Sequence, residues 1–161
     1  MVTELYRRTQ PGTLMRVIFA GVALADLATL ILFCFVHPDP VGLGMSCVML
    51  FVFLTSLLLF HSLTVTVSDQ ELEIRFGVGL IRKTYPTSLL QSCEIVRNSW
   101  LYGWGIHKMR GGWVYNVSGF DAVEITLSDG RKARIGTDEP RELAGVIHKL
   151  IQANNGAGRR A

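Results

Sequence analysis

The hydrophobic positions of the chain follow two different patterns, and the change between them divides the sequence. Residues 14–63 are apolar almost throughout, with one polar interruption at residues 37–40. A helix needs about 20 mostly apolar residues to cross the hydrocarbon core of a bilayer. Both apolar runs reach that length, so the sequence predicts a transmembrane helical hairpin with helices at 14–36 and 43–63 and a turn at 37–42.

After residue 63 the apolar residues alternate with polar ones. Leu72, Ile74 and Phe76 alternate with charged residues, a period of two that is typical of a half-buried strand. Turn residues recur at short intervals, and Asp129-Gly130 is a sequence that favours a hairpin turn. This part of the chain therefore predicts about seven short antiparallel strands.

The pattern changes to that of a helix near the C-terminus. Thr137 or Asp138 can cap a helix that tolerates Pro140 in its first turn. An apolar stripe at helical spacing follows, and its members are Leu143, Val146, Ile147, Leu150 and Ile151. Asn154-Asn155-Gly156 is expected to end the helix. The predicted organisation is an N-terminal arm at 1–13, the hairpin at 14–63, a β domain capped by a helix at 64–154, and a flexible tail at 155–161. The arm is expected to contact the membrane surface through Tyr6, Arg7 and Arg8.

Composition agrees with a protein divided between membrane and water. Hydrophobic residues make up 49% of the chain, the mean hydropathy is +0.32 and the formal net charge is +3. Acids are scattered among the bases after residue 63, so no dense basic face of the kind that binds nucleic acid is present. Cys34, Cys47 and Cys93 lack metal-ligand spacing and are interpreted as small buried apolar residues, with a Cys34–Cys47 disulfide as the alternative.

The distribution of bases predicts the orientation of the hairpin. Arg7, Arg8 and Arg16 precede or begin the first span, whereas the connecting turn contains Asp39 and no Lys or Arg. The positive-inside rule therefore places both termini, and the β domain, in the cytoplasm. The first apolar run is longer than the core of a cleavable signal, so we interpret it as a retained anchor in the inner membrane.

Asp26 is the one Asp, Glu, Lys or Arg inside the spans after their first residues, and it needs a polar partner there. In an antiparallel hairpin, Thr55 and Ser56 are expected at about its depth. Two interpretations remain open: Asp26 fixes the packing of the two helices, or it docks another membrane protein.

The stretch 100–113 interleaves aromatic rings, glycines and bases, and its candidate contacts are Trp100, Tyr102, Trp104, His107, Lys108 and Arg110. Trp, Tyr and Arg dominate binding hot spots, so this stretch is a candidate for contact with a partner protein or with lipid. The alternative is that Trp104 and Trp113 fill the core of the domain. A second basic group, which comprises Arg131, Lys132 and Arg134, is interpreted as the solvated face of an edge strand.

Motifs that carry chemistry are missing from the sequence. It contains no Walker loop, dinucleotide fingerprint, nucleophile elbow or zinc motif. The four histidines are distant from one another in sequence, although His107 with Cys93 or Asp121 remains a conceivable cluster. We therefore expect no catalytic residues, no cofactor and no metal.

Several short strings resemble a family. They are Tyr102-Gly103-Trp104-Gly105-Ile106, Gly112-Trp113, Tyr115-Asn116-Val117-Ser118-Gly119, Ala122-Val123-Glu124 and Ile135-Gly136-Thr137-Asp138-Glu139-Pro140. Together with the order of elements, they resemble the bacterial membrane proteins with a pleckstrin-homology-like (PH-like) domain, many of which carry a two-helix hairpin ahead of it. The resemblance implies a PH-like barrel plugged by its C-terminal helix, and no agreed activity.

The expected function is that of a membrane-anchored, non-catalytic PH-like interaction module at the cytoplasmic face of the inner membrane. Its expected partner is a membrane-associated protein that it serves as an accessory or assembly factor, and a homo-oligomer is possible in principle. The alternatives are a lipid-headgroup-binding domain and a structural subunit of a larger membrane complex. Nucleic acid is not an expected partner.

Overall fold

The computed structural model describes residues 3–99 and 103–158. Within these residues the chain forms nine strands and three α-helices. The helices are α1 (Thr13–Phe35), α2 (Pro40–Phe60) and α3 (Pro140–Gly158). The strands are β1 (Glu4–Pro11), β2 (Ser62–Ser68), β3 (Glu71–Phe76), β4 (Ile81–Pro86), β5 (Leu90–Arg97), β6 (Gly105–Met109), β7 (Gly112–Asn116), β8 (Asp121–Leu127) and β9 (Lys132–Gly136).

The two apolar helices are inserted between two strands that pair with each other. β1 runs directly into α1, and α2 runs into β2 with only His61 between them. β1 and β2 are antiparallel neighbours, paired as far as Pro11 opposite Ser62, and the Gly12 amide donates to the His61 carbonyl at 2.8 Å. The helical hairpin therefore occupies the place of a β-hairpin turn.

Both helices are long enough and apolar enough to cross a membrane, with a mean hydropathy of 2.4 in their most apolar windows. Asp39 caps α2 by accepting from the amides of Val41 and Gly42, each at 3.1 Å, so α2 begins at Pro40 rather than at the predicted residue 43. Ala23 and Ser46 are the buried residues of the pair. Most of the apolar helix surface is left uncovered by the described protein.

The strands form two sheets. The first has the order β1-β2-β3-β4 and is entirely antiparallel, and the second has the order β5-β8-β9-β7-β6. Within the second sheet β7 and β9 are parallel, with Gly112 opposite Lys132 and Tyr115 opposite Ile135. The prediction of a mainly β domain with a C-terminal helix is confirmed, but the strands described are nine rather than seven and they do not close into one barrel.

The core lies between the inward faces of the sheets and α3. Its strand residues follow the predicted period of two, and they include Leu72, Ile74, Phe76, Val123, Ile125 and Leu127. Leu143, Ile147 and Ile151 of α3 are also buried, as the helical stripe predicts. Thr137 accepts from the Glu139 amide at 3.1 Å before Pro140, which confirms the predicted helix start.

Two terminal segments differ from the expectation. The N-terminal arm is not a separate surface segment, because residues 4–11 form β1 and the Tyr6 side chain is 7% exposed in the core. Membrane contact through Tyr6, predicted from its place in a polar arm, is therefore wrong. The cause is a pairing with β2 across the whole helical insertion, which has no local signal in sequence.

The helix α3 also continues past the predicted stop. Asn154 uses its side-chain amide to donate to the Thr87 carbonyl at 3.1 Å, and the helix extends to Gly158. The predicted tail at 155–161 is thus helical in its first four residues. Asn can end a helix when its backbone turns left-handed, but here the side chain is engaged in a tertiary contact instead.

Candidate functional site

The concave site of greatest chemical interest lies where the edges of the two sheets meet. It is a cavity of about 250 Å³ with a basic and aromatic lining. β4 contributes Lys83 and Tyr85; the β6–β7 hairpin contributes Lys108, Met109, Gly111, Gly112 and Trp113; the β8–β9 hairpin contributes Arg131 and Lys132. We call these residues the basic pocket. Four of them carry a positive charge, and none is acidic.

Parallel pairing of β7 with β9 brings the two hairpins together. Because these strands run in the same direction, the turn before each one lies at the same end of the sheet. The Lys132 amide donates to the Gly111 carbonyl at 2.9 Å. A Cβ atom on Gly112 would lie 1.7 Å from the Lys132 carbonyl oxygen, so only glycine permits this close approach.

A tyrosine pair holds the wall of the pocket to the first sheet. The hydroxyl groups of Tyr85 and Tyr115 are 3.0 Å apart, and the Tyr115 ring lies 6.3 Å from that of Phe76. Burial raises the pKa of both tyrosines, and for Tyr85 the hydrogen bond to Tyr115 raises it further. Both hydroxyls therefore stay neutral, and the positive charge of the pocket is not cancelled by a phenolate.

The four bases of the basic pocket differ in how far they are already neutralised. Lys132 Nζ is 2.8 Å from Glu124 Oε1, and Arg131 Nε is 2.6 Å from Asp129 Oδ2. Lys83 Nζ stands 6.0 Å from the centroid of the Tyr85 ring, at the outer limit of a cation–π contact.

Neither Lys83 nor Lys108 makes an ion pair with a described acid. Because an unpaired ammonium attracts a counter-ion more strongly than one already bound to a carboxylate, these two lysines are the bases of the pocket best able to bind an anion.

The two aromatic side chains of β7 differ in their exposure to solvent. Trp113 is 46% exposed at the mouth of the pocket, although Tyr115, two residues on, is buried in the core. The interpretation that Trp113 fills the core is therefore wrong. The strand reaches beyond the core at its Gly112 end, so the first large side chain of β7 covers the pocket instead.

The stretch predicted as a contact surface is divided by the structure. Trp100 and Tyr102 lie outside the described residues. Trp104 is half-buried and packs against Phe120, with 6.4 Å between the ring centroids and an angle of 46° between the ring planes. It is not part of the hydrophobic core, so the alternative that Trp104 fills the core is wrong.

The remaining candidates of that stretch also separate from one another. The His107 ring contacts the Trp104 carbonyl at 2.8 Å. Lys108 lines the basic pocket, whereas Arg110 is exposed in the turn and is not part of the lining. The four candidates that the structure describes are thus distributed along the β6–β7 hairpin, from Trp104 at its open end to Arg110 in its turn, rather than forming one patch.

Asp26 finds its partner on α2, but not where it was expected. Its Oδ1 atom accepts from the Ser46 hydroxyl at 3.1 Å, and its Oδ2 atom is buried with no hydrogen-bond partner among the described residues. In an antiparallel hairpin, depth is counted from the turn, and Thr55 and Ser56 are much farther from the turn than Asp26 is. The choice of Thr55 and Ser56 is therefore replaced by Ser46.

The conceivable catalytic cluster of Cys93 with His107 is not formed. β5 and β6, which carry these residues, are opposite edges of the second sheet. Burial raises the pKa of the Cys93 thiol to about 11, and its sulfur contacts the Ala144 carbonyl at 3.6 Å. A thiol that stays protonated is a poor nucleophile. All three cysteines are free, and the described residues contain no group of three or more His, Cys, Asp or Glu that could hold a metal ion.

Sequence reasoning missed Arg131, Lys132 and Lys83 as pocket residues. Lys132 and Arg134 alternate with Ala133 and Ile135, and the 131–134 group is therefore interpreted from sequence as the solvated face of an edge strand. That interpretation is wrong, because β9 lies between β8 and β7 at the centre of the second sheet. Only the parallel strand pair, which joins the hairpins at 109–112 and 128–131, turns two unrelated basic stretches into one surface. Comparisons with models of known families, with curated proteins and with solved structures find no match to this chain.

Proposed function

We propose that the protein is a membrane-anchored, non-catalytic binding module whose basic pocket binds a phosphate-bearing anion, with the headgroup of an anionic lipid as its source. The observation that carries the proposal is the lining of the pocket, where Lys83 and Lys108 have no acidic partner among the described residues and Trp113 stands at the mouth. Lysine is a point-charge ligand for phosphate, and a Trp ring at the mouth suits a membrane interface.

The anchor is the helical hairpin. Leu24 of α1 and Phe51 of α2 are 67% and 70% exposed, although apolar side chains of this size are normally buried when water surrounds a protein. Lipid is the solvent that suits such a surface. The bases near the start of α1 support an orientation with both termini and the β domain on the cytoplasmic side.

A PH-like domain is part of this proposal, and the feature that fits it is a two-sheet core covered by a C-terminal helix. Two sheets with four and five strands enclose one core, and an amphipathic helix packs against the open side, with Leu143 and Ile147 fully buried. Domains of this kind use surface pockets to bind rather than to react. The neutral Cys93 thiol, far from His107, supports a non-catalytic role.

The contribution of Lys83 and Lys108 to the affinity for anionic lipid can be estimated from their charges. A base near the surface of an anionic leaflet contributes about 1 kcal/mol, and each 1.4 kcal/mol is tenfold in affinity. Loss of both Lys83 and Lys108 should therefore weaken binding by a factor of about 30. Arg131 and Lys132 should contribute less, because Asp129 and Glu124 already hold them at 2.6 and 2.8 Å.

The test uses the purified full-length protein in neutral detergent micelles. Dioleoylphosphatidylglycerol is titrated in, dioleoylphosphatidylcholine is titrated in parallel, and tryptophan fluorescence is the readout because Trp113 lies at the mouth of the pocket. The pocket variant is Lys83→Gln/Lys108→Gln. The matched control is Arg82→Gln/Arg110→Gln, which removes the same charge from exposed neighbours outside the lining.

The proposal expects saturable binding of the phosphatidylglycerol that the pocket variant weakens about 30-fold and the control variant weakens much less. Competition by inorganic phosphate at millimolar concentration would assign the site to a soluble anion instead of a lipid. Equal losses in the two variants, or no saturation, would overturn the pocket as a binding site. A protein that co-purifies in fixed proportion would then support the partner-protein function expected from the sequence.

A further inference from the structure

The most exposed large apolar side chains outside the helical hairpin and its connection, among the described residues, lie in the turn between β3 and β4. Leu80 is 79% exposed and Val78 is 59% exposed. We propose that this turn is a third membrane contact, in which Val78 and Leu80 insert into the interfacial region of the bilayer. The inference rests on the proposed anchoring of α1 and α2 in the membrane.

The turn is held at the level of the domain-side ends of the helices. The Gly77 amide donates to the Ser62 carbonyl at 2.9 Å, and a Cβ atom on Gly77 would lie 2.2 Å from the Leu58 carbonyl oxygen. The first residue of the turn therefore packs directly against the last turn of α2. Its positive φ of 49° and this lack of space both require glycine there.

The last turn of α2 falls at the edge of the hydrocarbon core. α2 has 21 residues, which span about 32 Å at 1.5 Å per residue, close to the thickness of the hydrocarbon core. Arg16, in the first turn of α1, donates to the His61 carbonyl at 2.9 Å, and an arginine is favourable at this depth because it reaches the headgroups. The turn that touches Leu58 is thus at the boundary between lipid tails and headgroups.

The apolar surface of the turn continues that of the helices. Leu58 is 58% exposed and Val17, one turn into α1, is 65% exposed. Val78 and Leu80 extend this surface sideways beneath the β domain. Because the two surfaces are continuous, the lipid that covers the helix ends also covers the turn.

Insertion of the turn would also set the height of the basic pocket. Lys83 follows Leu80 by three residues along β4, about 10 Å at the rise of a strand. With Leu80 at the boundary of the hydrocarbon core, Lys83 lies at most about 10 Å above it, at the outer side of the headgroup layer. A third point of contact, off the axis of the two helices, prevents the domain from tilting away and keeps the pocket at that height.

The experiment places a nitroxide spin label at single cysteines in the full-length protein, after Cys34, Cys47 and Cys93 are replaced by alanine. The labelled positions are Val78, Leu80, Leu24 within α1, and Gln70 in the exposed turn at the far end of the first sheet. The protein is reconstituted in nanodiscs of phosphatidylcholine and phosphatidylglycerol. Collision rates with oxygen, which concentrates in the bilayer, and with a water-soluble nickel chelate report the depth of each label.

We expect the Val78 and Leu80 labels to collide with nickel much less often than the Gln70 label, which resembles a label in water. They should collide with oxygen less often than the Leu24 label, because they lie at the boundary of the hydrocarbon core and Leu24 lies near its centre. Nickel accessibility at Val78 and Leu80 equal to that at Gln70, with Leu24 protected, would overturn the third contact and leave the anchor intact. Nickel accessibility at Leu24 as well would overturn the anchor and, with it, the third contact. If the Val78 and Leu80 labels stay protected in oligomers after detergent has replaced the lipid, the turn is covered by a second copy of the chain instead of by lipid.

Discussion

The insertion of the helical hairpin between β1 and β2 leads to a specific prediction about which part of the chain folds in water. If residues 13–60 are replaced by Asn-Gly, the β domain should fold as a soluble protein. The Gly12 amide and the His61 carbonyl are already hydrogen-bonded at 2.8 Å, and a two-residue type I′ turn closes strands at that separation. The replacement loses the edge contact of Phe60 with Phe76, at 5.7 Å between the rings, which is worth about 1 kcal/mol.

A chain that begins at residue 61, by contrast, lacks β1. Domains of this size have a free energy of unfolding of about 5 to 15 kcal/mol. Removal of β1 takes away the Tyr6 side chain, 7% exposed, and the ion pairs of Arg8 with Asp138 and Glu139, both at 2.8 Å. Truncation of a buried aromatic residue alone costs about 3 kcal/mol. The shorter chain should therefore be largely unfolded, although it contains the whole region that the sequence predicts as the domain.

The assay is urea unfolding followed by tryptophan fluorescence and far-ultraviolet circular dichroism. In the joined chain, Tyr6→Ala should lower the midpoint by about 2 M, from a loss of about 3 kcal/mol and an m-value of about 1.5 kcal/mol per M. The adjacent Leu5 is 45% exposed, so Leu5→Ala should change the free energy of unfolding by less than about 0.5 kcal/mol. Equal midpoints for the two variants, or a cooperative transition in the chain that starts at residue 61, would refute the role of β1.

Three other predictions concern single positions. Partial burial opposes the ionisation of Glu124, but its hydrogen bonds to Lys132 and Arg134 lower its pKa. Glu124 therefore stabilises the fold above about pH 4.5, and this stability is lost as the pH falls towards the lowered pKa. Glu124→Gln should reduce the melting temperature at pH 7 and flatten the decrease of the melting temperature at acid pH. Gly112→Ala should destabilise the protein by about 2 kcal/mol through its clash with a backbone carbonyl, whereas Gly145→Ala, with open space on α3, should stabilise it slightly in the same thermal assay. Asp26→Asn should leave both the melting temperature in detergent and the co-purifying proteins unchanged. Ser46→Ala should lower the melting temperature, because the Asp26 carboxyl group loses its hydrogen-bond donor. Loss of a co-purifying protein in Asp26→Asn alone would favour docking over packing.

The features that sequence predicts correctly are those set by residues close together in the chain. The helices of the hairpin follow from the length of two apolar runs, and the strands β3 and β8 follow from the alternation at 72–76 and 123–127. α3 follows from its stripe and from Thr137 and Pro140. Each of these patterns lies within a single element, because helix and strand periods repeat over a few neighbouring residues.

The features that sequence does not predict depend on which distant elements meet. β1 pairs with β2 across the helical insertion, and a polar arm with one tyrosine has no local pattern that specifies this pairing. The parallel pair of β7 and β9 likewise has no local signal, yet it decides where Lys108 and Lys132 lie. The Ser46 partner of Asp26 depends on the true turn at Asp39, which the cap fixes three residues earlier than the apolar run indicates.

The same insertion that makes the domain boundary hard to predict has a mechanical consequence. A domain joined to its anchor by one flexible linker can sample every orientation above the membrane, but here both strand ends enter the helices, with Gly12 and His61 hydrogen-bonded to each other. Neither connection has slack residues. On the proposed anchoring, the basic pocket is therefore presented to the leaflet at one height and one tilt, and affinity for a headgroup needs no ordering of the domain when it binds. Lengthening the connection by Gly-Gly-Ser after Gly12 and before His61 should weaken binding of phosphatidylglycerol in nanodiscs while leaving the lining of the pocket intact, and unchanged affinity would show that the rigid attachment does not contribute.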